Sequence, residues 1–115
     1  MAENDKLVAG VKKRLLEVIA EFMAARPAHV ATYLQPIKET ALRTFAGDPN
    51  SLVKEAALQL LLKILRSYPN AELTKIFEPT QLLTRLLDEI KLRRPSASVK
   101  GTIWHLVGLC HVKFG

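Results

Sequence analysis

Between Ser51 and Ser67 the chain reads SLVKEAALQLLLKILRS, a helical pattern with apolar residues on nearly every side. Val53, Ala57, Leu60 and Ile64 fall on one line of such a helix, and Leu58, Leu62 and Leu65 on another. Only Lys54, Glu55, Gln59 and Lys63 are left to keep it wet. An ordinary surface helix carries one apolar stripe and a polar back. This one needs neighbours on two sides, and the rest of the chain has to supply them.

Periodicity and punctuation predict four further helices. The first runs from about Asp5 to Ala25, capped by Asn4 or Asp5, with Val8, Val11, Leu15, Val18, Ile19 and Phe22 recurring at three- and four-residue steps. Pro27 ends it by disfavouring helical geometry at Arg26. The second covers about Val30 to Phe45, with Tyr33, Ile37, Ala41 and Phe45 on one face. Pro36 lies inside that span, which predicts either a kink or a start delayed to Gln35. Asp48, Pro49, Asn50 and Ser51 turn the chain and cap the helix quoted above. A short turn is expected near Glu72 to Phe77, then a helix from about Pro79 to Leu92 whose apolar side is Leu82, Leu83, Leu86, Leu87 and Ile90. RRPSAS breaks the chain, and Ser96 or Ser98 caps a last helix reaching about His111, with Trp104 read as core beside Ile103, Leu106, Val107 and Cys110. No window alternates as a strand does. The expected fold class is all-α, as one domain over residues 1–115.

Composition agrees. About half the residues are apolar but only 6% are aromatic, which suits leucine-rich helices better than sheet. A chain of this length buries about 65% of its unfolded surface, enough for a core. Cys110 is the single cysteine, which leaves no disulfide framework and no thiolate metal cluster. MAENDKLVAG lacks the basic start and apolar run of a signal peptide, and GTIWHLVGLCHV is too short and polar to span a bilayer. The chain is therefore expected to be soluble and intracellular, with no membrane partner. Its net charge of +6 is uneven, because residues 59–115 hold nine Lys/Arg against four Asp/Glu. That balance permits nucleic-acid or acidic partners without demonstrating them.

Short links force consecutive helices to lie antiparallel and in contact, which allows either a closed bundle or an open helical stack. Helix pairs recur here at roughly 40–47 residues, a spacing expected of stacked repeats. The segment YLQPIKETALRTFAGDPNSLVKEAALQLLLKIL resembles a HEAT repeat, through Pro36, Asp48-Pro49, Val53, Lys54, Ala56-Ala57, Leu60, Leu61 and Leu65. The resemblance implies a short α-solenoid of antiparallel helix pairs, with a closed bundle as the alternative. A narrower resemblance runs from Leu15 to Gly115, through TYLQPIKETA, AALQLLLKILRSYPNAELTKIF, IKLRRP and VKGTIWHLVGLCHV. It is to the N-terminal helical-repeat arm of the DNA-dependent protein kinase catalytic subunits. That implies a nuclear, non-catalytic scaffold segment of a repair kinase, whose arm helps enclose broken DNA presented by the Ku heterodimer in non-homologous end joining. In that family the serine/threonine kinase domain lies elsewhere in the protein. The alternative is a stand-alone HEAT or armadillo-type adaptor, nuclear or cytoplasmic, that binds a peptide or helix.

Catalytic chemistry finds no foothold in the residues. The five glycines are scattered and make no phosphate loop, and no kinase set of Lys and two Asp is identifiable. His105 and His111 are six apart and point to different faces, so they cannot share a metal unaided. Asp88 and Glu89 read as surface ion-pair partners of Arg85 and Arg93. Neither an enzymatic role, a small-molecule substrate nor a cofactor is expected. The feature above background is basic: Arg85, Lys91, Arg93, Arg94 and Lys100 are expected to contact DNA backbone or an acidic partner. The competing reading makes them cations that complement the end of a helix dipole.

Overall fold

The computed structural model describes residues 2–48 and 50–114, with side chains from residue 7 onward. Helix α1 spans Ala2–Ala25 and α2 Pro27–Val30, and a 3-10 turn covers Ala31–Tyr33. Then come α3 at Leu34–Gly47, α4 at Ser51–Ser67, α5 at Asn70–Ile76, α6 at Pro79–Asp88 and α7 at Ala97–Phe114. A π-helical turn, Glu89–Arg93, extends α6. Among the described residues there is no strand. The protein is all-helical.

Local chemistry accounts for the boundaries. The Asn50 side chain accepts hydrogen bonds from the amides of Leu52 at 2.9 Å and Val53 at 3.2 Å, satisfying donors that the first turn of α4 leaves free. Glu78 does the same for α6, accepting from the Gln81 amide at 2.8 Å, and Pro79 occupies the first turn, where no amide is needed. Pro36 produces a delayed start. The chain passes through α2 and the 3-10 turn, so Pro36 sits in the first turn of α3, where it removes no helical bond. The turn expected near Glu72 is a two-turn helix, α5. The cap expected at Asn4 or Asp5 concerns side chains outside the described ones, and the helical backbone already begins at Ala2.

Helix α4 answers the demand its sequence makes. It packs against α1, α3 and α7, while α1 and α7 do not pack closely on one another. Val53, Ala57, Leu58, Leu61, Ile64 and Leu65 are all fully buried there. The molecule measures 44 × 32 × 18 Å, so its short dimension is about two helix diameters.

Three expectations are corrected. Trp104 is not core: its side chain is 51% exposed, because Val99, Ile103, Leu106 and Cys110 form the face of α7 that meets its neighbours. The row Val8, Val11, Leu15, Val18 and Phe22 is also exposed, with Leu15 at 59%. Helix α1 is apolar on two faces, and α4 covers the one bearing Leu16, Ile19 and Met23. Tyr33 lies in the 3-10 turn rather than on α3, and it too is exposed.

The link between α3 and α4 is fastened to α1. Lys12 Nζ donates to Asp48 Oδ2 at 2.8 Å, and the Asn50 amide donates to Asp48 Oδ1 at 2.9 Å. Burial of the Asp48 carboxyl works to raise its pKa. The bonds from Lys12 and Asn50, with the charges of Lys12 and Lys54, outweigh that and hold it below the ordinary 3.8. A depressed carboxylate pKa adds stability above the unfolded value, and that stability is lost as pH falls through the folded one. Urea unfolding of the wild type should therefore weaken more steeply below about pH 4 than that of Asp48→Asn. Equal slopes for the two proteins would mean the Lys12–Asp48 bond contributes nothing to the fold.

Candidate functional site

The C-terminal end of α6 is built around a buried charge pair. Lys54 is 6% exposed and Glu89 5%, and Lys54 Nζ lies 3.0 Å from Glu89 Oε2. The same ammonium donates to the Phe45 carbonyl at 2.6 Å and sits 5.2 Å from the centre of the Phe45 ring. Buried charges persist only when paired and hydrogen-bonded, and here the ammonium has three partners. Both residues depart from their expected places. Lys54 was expected to keep α4 wet, and Glu89 to be a surface carboxylate. Glu89 instead continues the row of Leu82 and Leu86 at a three-residue step, which turns it toward α4. Asp88, one residue earlier, is exposed.

That pair anchors the turn that carries Lys91 and Arg93 and leads into Arg94, three of the expected basic residues. Arg93 Nε lies 3.7 Å from Glu89 Oε1, and Arg93 Nη1 donates to the Ala46 carbonyl at the end of α3. Widening into a π-turn adds a residue per helical bond, and such turns recur at functional sites. The next residue, Arg94, stands in the left-handed region with φ 46°, rare for a residue with a side chain and disfavoured as a helix continuation before Pro95. The helix is thereby stopped, and the chain turns into α7.

Arg93 and Arg94 line one hollow of about 330 Å³ together with Ser51, Lys54, Ser96 and Val99, and the Glu89 carboxylate that pairs with Lys54 and Arg93 lines it too. Ser51 begins α4 and Ser96 immediately precedes α7, so two long helices present their N-termini here. A helix N-terminus carries about half a positive charge. Here the Asn50 side chain already takes the Leu52 and Val53 amides, and Ser96 Oγ takes the Val99 amide, so what the two ends add to the guanidinium groups is their dipoles.

The five expected basic residues are thus partly gathered. Arg93 and Arg94 share that hollow. Arg85 and Arg93 share a smaller one of about 200 Å³ floored by Leu42 and Phe45. Lys91 and Lys100 are exposed and line neither. Two basic residues of α3, Lys38 and Arg43, escaped the sequence reading. They line a third hollow with Arg85, and nothing in their own local pattern signals it.

Elsewhere the polar groups serve the fold. His105 Nε2 lies 2.8 Å from Arg66 Nη2, tying α7 to α4. Thr102 donates to Glu55 at 2.6 Å between the same two helices. Among the described residues no three His, Cys, Asp or Glu side chains are grouped as metal ligands would be. No described helix is long and apolar enough to cross a membrane. Cys110 is buried, and burial pushes its thiol up to about 11, which marks it as a packing residue. The hollow thus gathers two guanidinium groups and the N-terminal ends of two helices around the Lys54–Glu89 pair.

No curated protein and no solved structure matches the chain. A family model described as "DNA-PKcs, N-terminal" does match, over residues 2–113. That family is an N-terminal part of DNA-PKcs and not its kinase domain. With the match running from α1 almost to the end of α7, the chain belongs to the DNA-PKcs N-terminal family.

Proposed function

We propose that the chain is a non-catalytic helical-repeat scaffold segment that touches DNA backbone phosphates through Arg93 and Arg94. The observation that carries this reading is their meeting with the N-termini of α4 and α7 at one hollow. Phosphate oxygens are what guanidinium forks and helix N-termini recognise best, and such contacts position a duplex without reading its sequence. Membership of a DNA-PKcs family supports DNA as the source of those phosphates, and a nuclear location with it.

The shape supports a HEAT-type stack over a closed bundle. Helix α4 packs against α1, α3 and α7, and α6 packs against α7, in a molecule only 18 Å across its short dimension. Helices α1 and α7 both pack on α4 without packing closely on one another, as the ends of an open stack do. The exposed apolar row on α1 and the apolar hollow lined by Leu83, Val107 and Phe114 are then faces that neighbouring repeats cover. In a full-length protein of this kind such a segment would help shape the arm around DNA, with the Ku heterodimer as a further expected partner.

Fluorescence anisotropy with a labelled duplex tests the site. Reversing Arg93→Glu with Arg94→Glu should abolish binding. Reversing Lys13→Glu with Arg26→Glu, on α1 and its exit, should weaken it about threefold at most, as diffuse charge does. Equal losses from the two pairs would reduce the attraction to net charge and overturn the assignment.

A further inference from the structure

The hollow of about 470 Å³ between α3 and α6 is a second recognition feature, set apart by which of its charges are already satisfied. Helices α3 and α6 do not pack closely, and a furrow runs between them with α5 closing one end. Its floor is made by Leu42, Ile76, Phe77 and Leu82, of which Ile76 is half-buried and presents most of the apolar surface. Leu42, Phe77 and Leu82 belong to the buried core, so the floor is held rigidly.

Five charged side chains line the rim, and three are occupied. Lys38 donates to the Ile76 carbonyl at 2.9 Å, lies 3.4 Å from Glu39 and stands 5.9 Å from the Phe77 ring centre. Glu39 also accepts from Gln35 at 3.2 Å. Glu78 is the cap of α6. Arg43 and Arg85 remain, one on each wall, exposed and with no ionic partner among the described residues. Two guanidinium groups that border one hollow from different helices suit a ligand with carboxylates on either side of an apolar group. Each guanidinium can hold a carboxylate through two parallel bonds.

We propose that this furrow is a docking groove for an acidic peptide segment of a partner protein, clamped by Arg43 and Arg85 over the Leu42–Leu82 floor. Its chemistry differs from that of the Arg93–Arg94 notch. A duplex backbone offers phosphates but no apolar side chain for the floor, whereas a strand or turn with alternating acidic and apolar residues offers both. The groove does not depend on the notch binding DNA, since the two use different arginine pairs.

The probe is a fluorescein-labelled octapeptide of alternating glutamate and leucine, titrated with the full chain alongside a labelled DNA duplex. The wild type should bind the peptide saturably. Arg43→Ala with Arg85→Ala should weaken the peptide about tenfold or more, by removing two charge-assisted contacts, and leave duplex affinity within about twofold. Arg93→Ala with Arg94→Ala should do the reverse. Both variants should keep the wild-type circular dichroism spectrum, and Arg43→Lys with Arg85→Lys serves as a second pair that retains charge but loses the fork. That pair should still lose peptide affinity. Absence of saturable binding, peptide affinity unchanged by either Arg43/Arg85 pair, or equal loss in the Arg93/Arg94 variant would each overturn the proposal. So would loss of duplex binding in the Arg43/Arg85 variants, which would make the furrow a nucleic-acid track.

Discussion

Replacing Glu89 with alanine is expected to destabilise the chain by about 3–5 kcal/mol, measured by urea unfolding. The carboxylate is the counter-charge of Lys54, 3.0 Å away, and both are nearly inaccessible to water. Its removal leaves an ammonium buried with only the Phe45 carbonyl and ring for company. It also removes one of the two holds on Arg93, which lies 3.7 Å from the same carboxylate and donates to the Ala46 carbonyl. Glu89→Gln should lose less, since an amide oxygen still accepts from Lys54. Changing both partners, Lys54→Met with Glu89→Leu, should recover most of the loss, because a well-packed apolar pair often replaces a buried ion pair without penalty. A loss below about 1 kcal/mol for Glu89→Ala would mean that water reaches the pair. In that event the turn bearing Arg93 and Arg94 is not held as described.

Leu61→Ala should cost about 2–5 kcal/mol, as truncation of other buried leucines does. Leu61 is fully buried in α4, the helix that touches α1, α3 and α7. Surfaces on three sides limit how far the core can collapse into the space. Leu52→Ala is the matched control. It lies on the same helix, is 62% exposed, and should change stability by no more than about 0.5 kcal/mol. If the two substitutions prove equivalent, α4 is not the centre of the core.

The helices themselves were legible because their signals are local. Asn50 caps α4, Pro79 opens α6, and the three- and four-residue rows of leucine between them need no knowledge of the rest of the chain. Which side of a helix is covered depends on its neighbours and is not written locally. Helix α1 offers two apolar rows, and only its meeting with α4 decides between Leu16 with Met23 and Leu15 with Phe22. Trp104 looked buried because α7 is apolar all round, and its neighbours sit on one side. Lys54 was misjudged for a related reason. Its charge suggested solvent, while the residue that neutralises it lies thirty-five positions later, on another helix.

The site divides along the same line. Arg93 and Arg94 stood out as a break before Pro95, a local feature. Their companions at the hollow, Ser51 and Lys54, come from a different part of the chain. Arg43 could not be associated with Arg85 from spacing, since forty-one residues and two helices, α4 and α5, lie between them. Glu89 did leave a trace, three residues after Leu86 on the apolar row of α6. A carboxylate in such a row is a sign of a buried partner.

The most direct test of phosphate contact is the salt dependence of duplex binding by the unmodified chain. Each neutralised phosphate releases condensed counterions, giving a slope of about −0.9 per contact in a plot of log affinity against log salt on B-form DNA. Arg93 and Arg94, with up to two further contacts from the neighbouring basic residues, predict a slope between about −1.8 and −3.6. Affinity should then fall about ten- to hundredfold between 50 and 200 mM salt, with no preference among duplex sequences. Absence of binding even at the lowest salt, or binding whose slope is near zero, would contradict the account.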